Sequence, residues 1–275
     1  MKGMEAEFLT DAGIIRRARG WRLYTGDGRR LIDLWQDGGR ALLGHTQNAV
    51  LRELKNHSER GLFAPFPSYA GAHFYKALRA LFPNASGFSI LNCALFDVKA
   101  VLGYPLWRPF SMEDEAALHE PVFVPVLPFP LAPVVAVYTG GAKPEPANAA
   151  CSPVLLAAAT RAVYNLIAAG ARGAVQFGKV NSALKKAEER GTSLWRRDGI
   201  YLRYKESADA CVSADMPAAD TGITPRYLML CRAFLAGGFL PPPSPFYPFI
   251  LPGEMSAGEE AKLVKLLEAS CLIKN

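Results

Sequence analysis

The sequence predicts a mixed α/β protein, and a few stretches carry that prediction. The runs 122–126 and 134–138 are apolar and rich in β-branched residues, as buried strands are. The Ala-rich run 153–169 has high helix propensity, and Pro153 suits the first helical position. The run 256–269 is amphipathic and predicts a closing helix. Segments of both kinds alternate along the chain, which is typical of an α/β fold.

A β-hairpin is predicted near the start of the chain. Residues 21–24 and 31–35 are strand-like and flank a Thr-Gly-Asp-Gly turn at 25–28. The following Asp37-Gly38-Gly39 ends the second strand, because adjacent glycines weaken a regular ladder. An amphipathic helix is then predicted over 47–61, with Gly61 as its cap.

The remaining elements follow the same rules of periodicity and punctuation. Ser111 and Asp114 form a variant of the capping box that starts a short helix, and the Pro-rich aromatic stretch 63–69 is a connector. The other predicted helices are 72–82, 93–102, 175–190 and 224–235, and the other predicted strands are 87–91, 199–204 and 246–251.

Composition points to a soluble, cytoplasmic, globular protein. Half of the 275 residues are hydrophobic and 20% are charged. Five scattered cysteines without a C-x-x-C pair are typical of reduced thiols in the cytoplasm. The start carries no apolar signal core, and prolines interrupt the most apolar run, 122–138, so no membrane partner is expected.

Six arginines between Arg16 and Arg30 contribute to a net charge of +6. Together with nearby aromatic side chains they allow a nucleic-acid patch as one interpretation. The other interpretation is a solvated hairpin face from which Arg22 and Arg29 point outward. No groove-reading motif accompanies the arginines, so the solvated face is favoured and a nucleic-acid partner is disfavoured.

The order of features over residues 18–61 resembles the N-terminal segment of class III aminotransferases. These are pyridoxal-phosphate enzymes of fold type I, and glutamate-1-semialdehyde aminomutase is among them. The second half is similar to the same family. The matching segments are Ser152-Pro153 before the Ala-rich helix, the sequence Asp198-Gly199-Ile200-Tyr201, and the stretches 227–240 and 243–267.

The resemblance implies an α+β small domain of fold type I plus the sheet of a large, cofactor-binding domain. It divides the chain into an N-terminal hairpin and helices (1–82), a large-domain remnant (83–151) and a C-terminal small domain (152–275). Only the middle segment stands where the family has a much longer domain. We therefore expect most of the cofactor-binding domain to be missing.

The family's catalytic parts are a Schiff-base lysine, an acid that holds the pyridine nitrogen, and a phosphate cup at a helix N-terminus. The cup falls at Asn92-Cys93-Ala94, where Ala94 replaces the glycine and Leu95 the hydroxyl residue. The acid has no match, and no lysine lies between Lys99 and Lys143. Asn148-Ala149-Ala150 replaces the Gly-Thr that the partner subunit donates. The resemblance thus implies no catalytic residue, with Lys143 as a weak candidate, and no bound cofactor.

Five residues form a candidate ligand surface. Trp35, Asp37, Gly38 and His45 lie where the family's N-terminal segment lines the substrate entrance, and Arg108 is a candidate carboxylate binder with an ion-paired structural role as its alternative. No metal site is predicted, because the four histidines share no ligand spacing with an acid or a cysteine.

Three functional hypotheses follow, in this order. The first is a degenerate aminotransferase homologue that acts by binding or assembly, as a homodimer or as a heterodimer with an intact aminotransferase. The second is an active pyridoxal-phosphate aminotransferase or aminomutase with a rebuilt site that uses Lys143 or Lys99. The third is a basic nucleic-acid-binding protein.

Overall fold

The computed structural model describes residues 11–142, 149–172, 177–191, 193–205 and 224–270. The chain forms two compact units. The first consists of Met1–Gly38 and Val175–Asn275, and the second of Gly39–Ala174. The beginning and the end of the chain therefore belong to one unit. The resemblance divides the chain by its likeness to family domains, into residues 1–82, 83–151 and 152–275. The two compact units do not test that division, which stays a prediction.

The regular elements alternate along the chain, which confirms the mixed α/β class. The strands are β1 (Ile15–Arg19), β2 (Arg22–Thr25), β3 (Arg30–Asp33), β4 (Gly87–Ile90), β5 (Leu106–Trp107), β6 (Val122–Pro125), β7 (Val135–Tyr138), β8 (Trp195–Asp198), β9 (Tyr201–Tyr204), β10 (Phe239–Leu240) and β11 (Phe249–Ile250). The helices are α1 (Asn48–Ser58), α2 (Tyr69–Leu81), α3 (Val98–Leu102), α4 (Pro153–Gly170), α5 (Gly178–Glu189), α6 (Pro225–Ala236) and α7 (Ala257–Ser270). Short 3-10 turns cover Gln36–Gly39, Leu95–Asp97 and Glu113–His119.

In the first unit the predicted hairpin is the centre of a four-stranded sheet with the order β1-β2-β3-β10. The strands β2 and β3 pair antiparallel, and β10 adds to β3 in parallel. Gly28 supplies the turn with a φ of +86°, and its N–H donates to the Thr25 carbonyl at 3.2 Å. A second sheet has the order β11-β9-β8.

Aromatic side chains fill the core of the first unit. The Trp195 indole meets Phe249 edge-to-face with ring centroids 4.9 Å apart, and Phe249 meets Phe234 at 5.2 Å. The Trp195 Nε1–H donates to the Ser270 hydroxyl at 2.8 Å, so the buried indole keeps its hydrogen bond. This contact fixes β8 against the end of α7.

The second unit is organised around α4. The Ser152 hydroxyl accepts a hydrogen bond from the Val154 N–H at 3.3 Å, and Pro153 occupies the first turn, as predicted. The helix packs against α1 and α2. The four-stranded sheet of this unit has the order β4-β7-β6-β5.

Helix α4 is the one helix of the described ranges that is long and apolar enough to cross a membrane, with a mean hydropathy of 1.3. Half of it is buried in the second unit. Ala158, Ala159, Ala162 and Val163 are 0% exposed. The helix is thus packed as a core helix of the second unit.

Four strands, β1, β5, β8 and β10, were not predicted, and one helix is shorter than predicted. Strand β1 carries three arginines and is almost wholly exposed, so it shows no alternation of apolar and polar residues. Strand β8 reads Trp-Arg-Arg-Asp, and its apolar content is too low to signal a strand. The helix predicted over 93–102 is a 3-10 turn followed by the short α3, which ends at Gly103 with a φ of 70°.

Candidate functional site

A left-handed turn directly after β3 contains three of the predicted ligand-surface residues and is the most strained backbone of the described chain. Gln36 has a φ of 50°, Asp37 a φ of 51° and Gly38 a φ of 63°. For residues with a side chain, this region costs about 1–3 kcal/mol each. Two such residues in succession therefore need strong local support. Trp35, Asp37 and Gly38 lie together here.

The support for this turn comes from Asp33 and Gln36. The Asp33 carboxylate, 2% exposed, accepts hydrogen bonds from the backbone N–H groups of Trp35 and Gln36, both at 2.8 Å. The Gln36 side-chain amide donates to the Ile250 carbonyl at 3.0 Å and to the Asp33 carbonyl at 3.3 Å. Each contact opposes relaxation of the turn towards a right-handed conformation.

Two buried polar atoms at this turn have no hydrogen-bond partner in the described part of the chain. They are Nε1 of Trp35 and Oε1 of Gln36. Such atoms are rare in folded proteins, and each calls for an explanation such as a bound water or ligand. Strained backbone and unsatisfied polar atoms together make the turn 33–38 the best candidate surface for a ligand in the first unit. Asp33 and Gln36 were missed by the sequence analysis, although the Ile-Asp end of β3 was a visible signal.

His45 belongs to the second unit and follows Gly44, which has a φ of 88°. It is partly buried. The adjacent segment is fixed by Gln47, whose Nε2 donates to the Pro128 carbonyl at 2.6 Å and whose Oε1 accepts from Asn165 at 3.1 Å. These contacts hold the loop that carries His45 against the body of the second unit.

Arg108, the candidate carboxylate binder, already has a carboxylate. Its Nη1 lies 3.0 Å from Oδ2 of Asp114, and the two side chains are 12% and 15% exposed. The Asp114 N–H donates to the Ser111 hydroxyl at 3.0 Å, which is the capping contact expected from the sequence. A ligand carboxylate would have to compete with Asp114 for the Arg108 guanidinium.

The segment that resembles a phosphate cup does not offer a phosphate site. Leu95, at the position of the hydroxyl residue, is 4% exposed and packs in an apolar cluster with Val98, Val124 and Val126. The helix behind it, α3, has only five residues and therefore little macrodipole. Burial, with a smaller contribution from the negative charge of Asp97, raises the pKa of the Cys93 thiol. The cup remnant Asn92-Cys93-Ala94 thus fits a phosphate poorly.

Every lysine in the described ranges is exposed to solvent. A Schiff-base lysine needs a desolvated pocket that lowers its pKa. Lys99 lies on the open face of α3. Lys143 and Asn148 lie outside the described residues. Ala149, in the position of the donated Gly-Thr, uses its N–H to bind the Ile90 carbonyl at 2.9 Å. The described residues therefore do not fit pyridoxal phosphate.

The arginines of the basic stretch have different partners. The prediction that Arg22 points outward is wrong, because Arg22 binds Glu259 at 2.8 Å and its side chain is only 20% exposed. Arg29 is exposed and pairs with Asp27 at 2.7 Å. On β1, Arg17 lies over the Tyr24 ring at 4.3 Å.

The described residues include no group of three His, Cys, Asp or Glu side chains placed to hold a metal ion.

Comparison with known proteins supports the fold more strongly than any activity. No family model matches the chain. An uncharacterized protein of Treponema pallidum is 32% identical over 186 residues, which is 62% of this chain and 58% of that protein. Glutamate-1-semialdehyde 2,1-aminomutase of Sorangium cellulosum is 30% identical over 105 residues, which is 38% of this chain and 23% of that enzyme. The chain thus matches less than two thirds of the length of these relatives.

The ornithine delta-aminotransferase of Plasmodium falciparum has a similar structure, with a TM-score of 0.64 and 11% identity over 98% of each chain. At this identity the likeness shows the fold, which is that of the aminotransferases. The superposition extends over nearly the full length of both chains. The expected loss of most of the cofactor-binding domain is not confirmed and stays a prediction.

Proposed function

We propose that this chain is an aminotransferase homologue that no longer performs pyridoxal-phosphate chemistry and acts by binding or assembly. The single observation that carries the proposal is the exposure of every lysine in the described ranges. A Schiff-base lysine works from a desolvated pocket, and none of these solvated ammonium groups lies in one.

The apolar filling of the phosphate cup supports the same proposal. A phosphate dianion binds where several backbone N–H groups converge and where small residues allow close approach. Here the side chain of Leu95 is buried against Val98, and Asp97 adds a negative charge at the start of α3. A phosphate at this position would meet apolar carbon and a like charge.

A titration of the purified chain with pyridoxal phosphate, followed by absorbance, tests the loss of cofactor binding. The proposal predicts the spectrum of the free aldehyde at stoichiometric cofactor and no saturable aldimine band at higher ratios. The variants K99A and K143A serve as matched controls. Should an aldimine band form in the wild-type chain and disappear in one of these variants, the proposal is wrong and that lysine is the nucleophile.

The second hypothesis, an active enzyme with a rebuilt site, is favoured by the fold, since solved structures with this fold include a transaminase with pyridoxal phosphate bound. It depends on Lys143 or Lys99. The K143A arm of the titration distinguishes it from the first hypothesis directly.

Exposed aromatic side chains on the connector after α1 and on the first residue of α2 support a role in assembly. Phe63 is 62% exposed, Phe66 59% and Tyr69 85%. Clustered exposed aromatic residues mark interaction surfaces more often than scattered ones do. We propose that the segment 63–69, which ends at the first residue of α2, contacts a second subunit, either another copy of the chain or an intact aminotransferase.

Native mass spectrometry of the purified chain, alone and mixed with an intact aminotransferase from the same host, tests the assembly. The triple variant F63S/F66S/Y69S is expected to lose the complex while keeping the thermal stability of the wild type, because these side chains contribute little to the core. If the chain stays a monomer in both samples, the assembly role is wrong.

A further inference from the structure

Strand β1 stands at one end of the described sheet of the first unit and carries Arg16, Arg17 and Arg19 within five residues. All three arginines are exposed, so packing in the core does not explain them. Protection of a sheet edge against aggregation needs charge of either sign, whereas this strand is uniformly positive. We call this row of three arginines the β1 face.

The arginines of β2 and β3 are neutralised within the unit, but those of β1 are not. Glu259 pairs with Arg22 at 2.8 Å and with Arg30 at 3.4 Å. Within the described part of the chain, the side chains of Arg16 and Arg19 form no ion pair and no hydrogen bond. The open positive charge of this sheet is therefore concentrated on the β1 face.

The strand register places two of these arginines on one side of the sheet. Arg17 lies opposite Tyr24, with its guanidinium carbon 4.3 Å from the ring centroid, and Arg19 lies opposite Arg22. Residues two positions apart on a strand point to the same side. Arg19 and Arg22 are thus like charges directly opposite each other, which destabilises a sheet. Glu259 offsets the charge of Arg22, whereas the charge of Arg19 is left for a partner to offset.

We propose that the β1 face binds an acidic, extended segment of a partner protein. Residues on one side of a strand repeat about every 6.6–6.8 Å, so alternate carboxylates of an extended segment match the spacing of Arg17 and Arg19. Each guanidinium can bind a carboxylate through paired donors. A nucleic acid fits this face less well, because the Tyr24 ring, the aromatic platform on which a base would stack, already carries the Arg17 guanidinium.

This surface is separate from the features on which the proposed function depends. The β1 face belongs to the first unit, while the segment 63–69 belongs to the second. No lysine contributes to it. A failure of the acidic-segment proposal therefore leaves the loss of pyridoxal-phosphate chemistry and the role of segment 63–69 to their own tests.

Fluorescence anisotropy of a labelled peptide of alternating glutamate and serine, titrated with the full chain, tests the surface. A lysine–serine peptide and a single-stranded oligothymidine with the formal charge of the acidic peptide serve as comparison probes. We expect saturable binding of the acidic peptide at low ionic strength, weakened as salt screens the exposed charges. The oligothymidine should bind more weakly and the lysine–serine peptide not at all. No binding of the acidic peptide at low salt, or tighter binding of the oligothymidine, overturns the proposal.

Variants locate the surface. R17Q/R19Q should weaken peptide binding about fivefold or more, since it removes two exposed ion pairs of modest strength. The control R52Q/R79Q removes the same charge from exposed positions on α1 and α2 and should bind like the wild type. R19E keeps Arg17 on the Tyr24 ring and places an opposite charge across from Arg22, so it should fold normally and bind the peptide at least as weakly as R17Q/R19Q. Equal weakening in R52Q/R79Q, or unchanged affinity in R17Q/R19Q and R19E, contradicts the proposal.

Discussion

The guanidinium of Arg22 and the carboxylate of Glu259 form a two-point contact that ties β2 to α7. Nη2 donates to Oε2 at 2.8 Å and Nε to Oε1 at 3.2 Å. Glu259 also accepts from the Ser256 N–H at 2.8 Å, while its own N–H donates to the Ser256 hydroxyl at 3.2 Å. One carboxylate thus completes a capping box and an ion pair between the two ends of the chain.

The substitution E259Q should lower the free energy of unfolding at pH 7 by about 1–3 kcal/mol. Burial by itself raises the pKa of Glu259, but hydrogen bonds from Arg22 and Ser256 outweigh it and lower that pKa from 4.5 to about 2. The stabilisation that ionised Glu259 gives the folded protein is therefore fully present above pH 4.5 and is lost as the pH falls towards 2. Denaturant unfolding of wild type and E259Q across this window measures the difference. E268Q, on the exposed side of α7, is the control, and an unchanged acid profile in E259Q contradicts the assignment.

Asp33 is expected to hold the left-handed turn at residues 36–38. D33A removes both acceptor contacts to buried N–H groups and should cost about 2–4 kcal/mol of unfolding free energy. D33N keeps an oxygen that can accept both bonds, so its cost should be smaller. Chemical denaturation of the two variants gives the comparison. Equal costs would mean that the charge rather than the hydrogen-bond geometry supports the turn.

Leu95 is expected to act as a core residue rather than as a remnant of a ligand site. L95A should lower the free energy of unfolding by about 2–4 kcal/mol, because it leaves a cavity in the cluster with Val124. L102A, also in this segment but 40% exposed, should cost much less. Thermal unfolding measures both. A stability of L95A equal to that of L102A would show that the apolar cluster is not formed.

Gly253 is required by its contact with Trp21. A Cβ at this position would lie 2.4 Å and 2.6 Å from carbons of the indole ring. G253A should therefore destabilise the protein by about 1–3 kcal/mol through overpacking. At Gly258, in the first turn of α7, a Cβ meets nothing within 4 Å, and G258A should stabilise the helix by up to about 1 kcal/mol. Melting temperatures that move in the same direction for both variants would contradict this contrast.

The sequence was sufficient for elements whose signals are local. The Gly28 turn and the Pro153 helix start each depend on residues a few positions apart. Their chemistry is readable without knowledge of the rest of the chain. The same is true of the α/β class.

The features that escaped prediction depend on contacts distant in sequence. Strand β1 has no apolar face of its own and exists because β2 pairs with it. Arg22 was predicted to point outward because its partner, Glu259, lies near the other end of the chain. Gln36 supports the turn through a hydrogen bond to the Ile250 carbonyl, and no local sequence pattern predicts a contact over that distance in the chain. Candidate site residues were placed by resemblance, and their contacts became visible only in three dimensions.

Borohydride reduction of the chain in the presence of pyridoxal phosphate, followed by peptide mapping, is the decisive test of whether any lysine forms a Schiff base. The account predicts no lysine labelled preferentially at stoichiometric cofactor, and only slow, scattered labelling of exposed lysines in excess, unchanged by substitution of Lys99 or Lys143. Rapid stoichiometric labelling of one lysine, protected from solvent competition and abolished by its substitution, would contradict the account and identify a working Schiff-base residue.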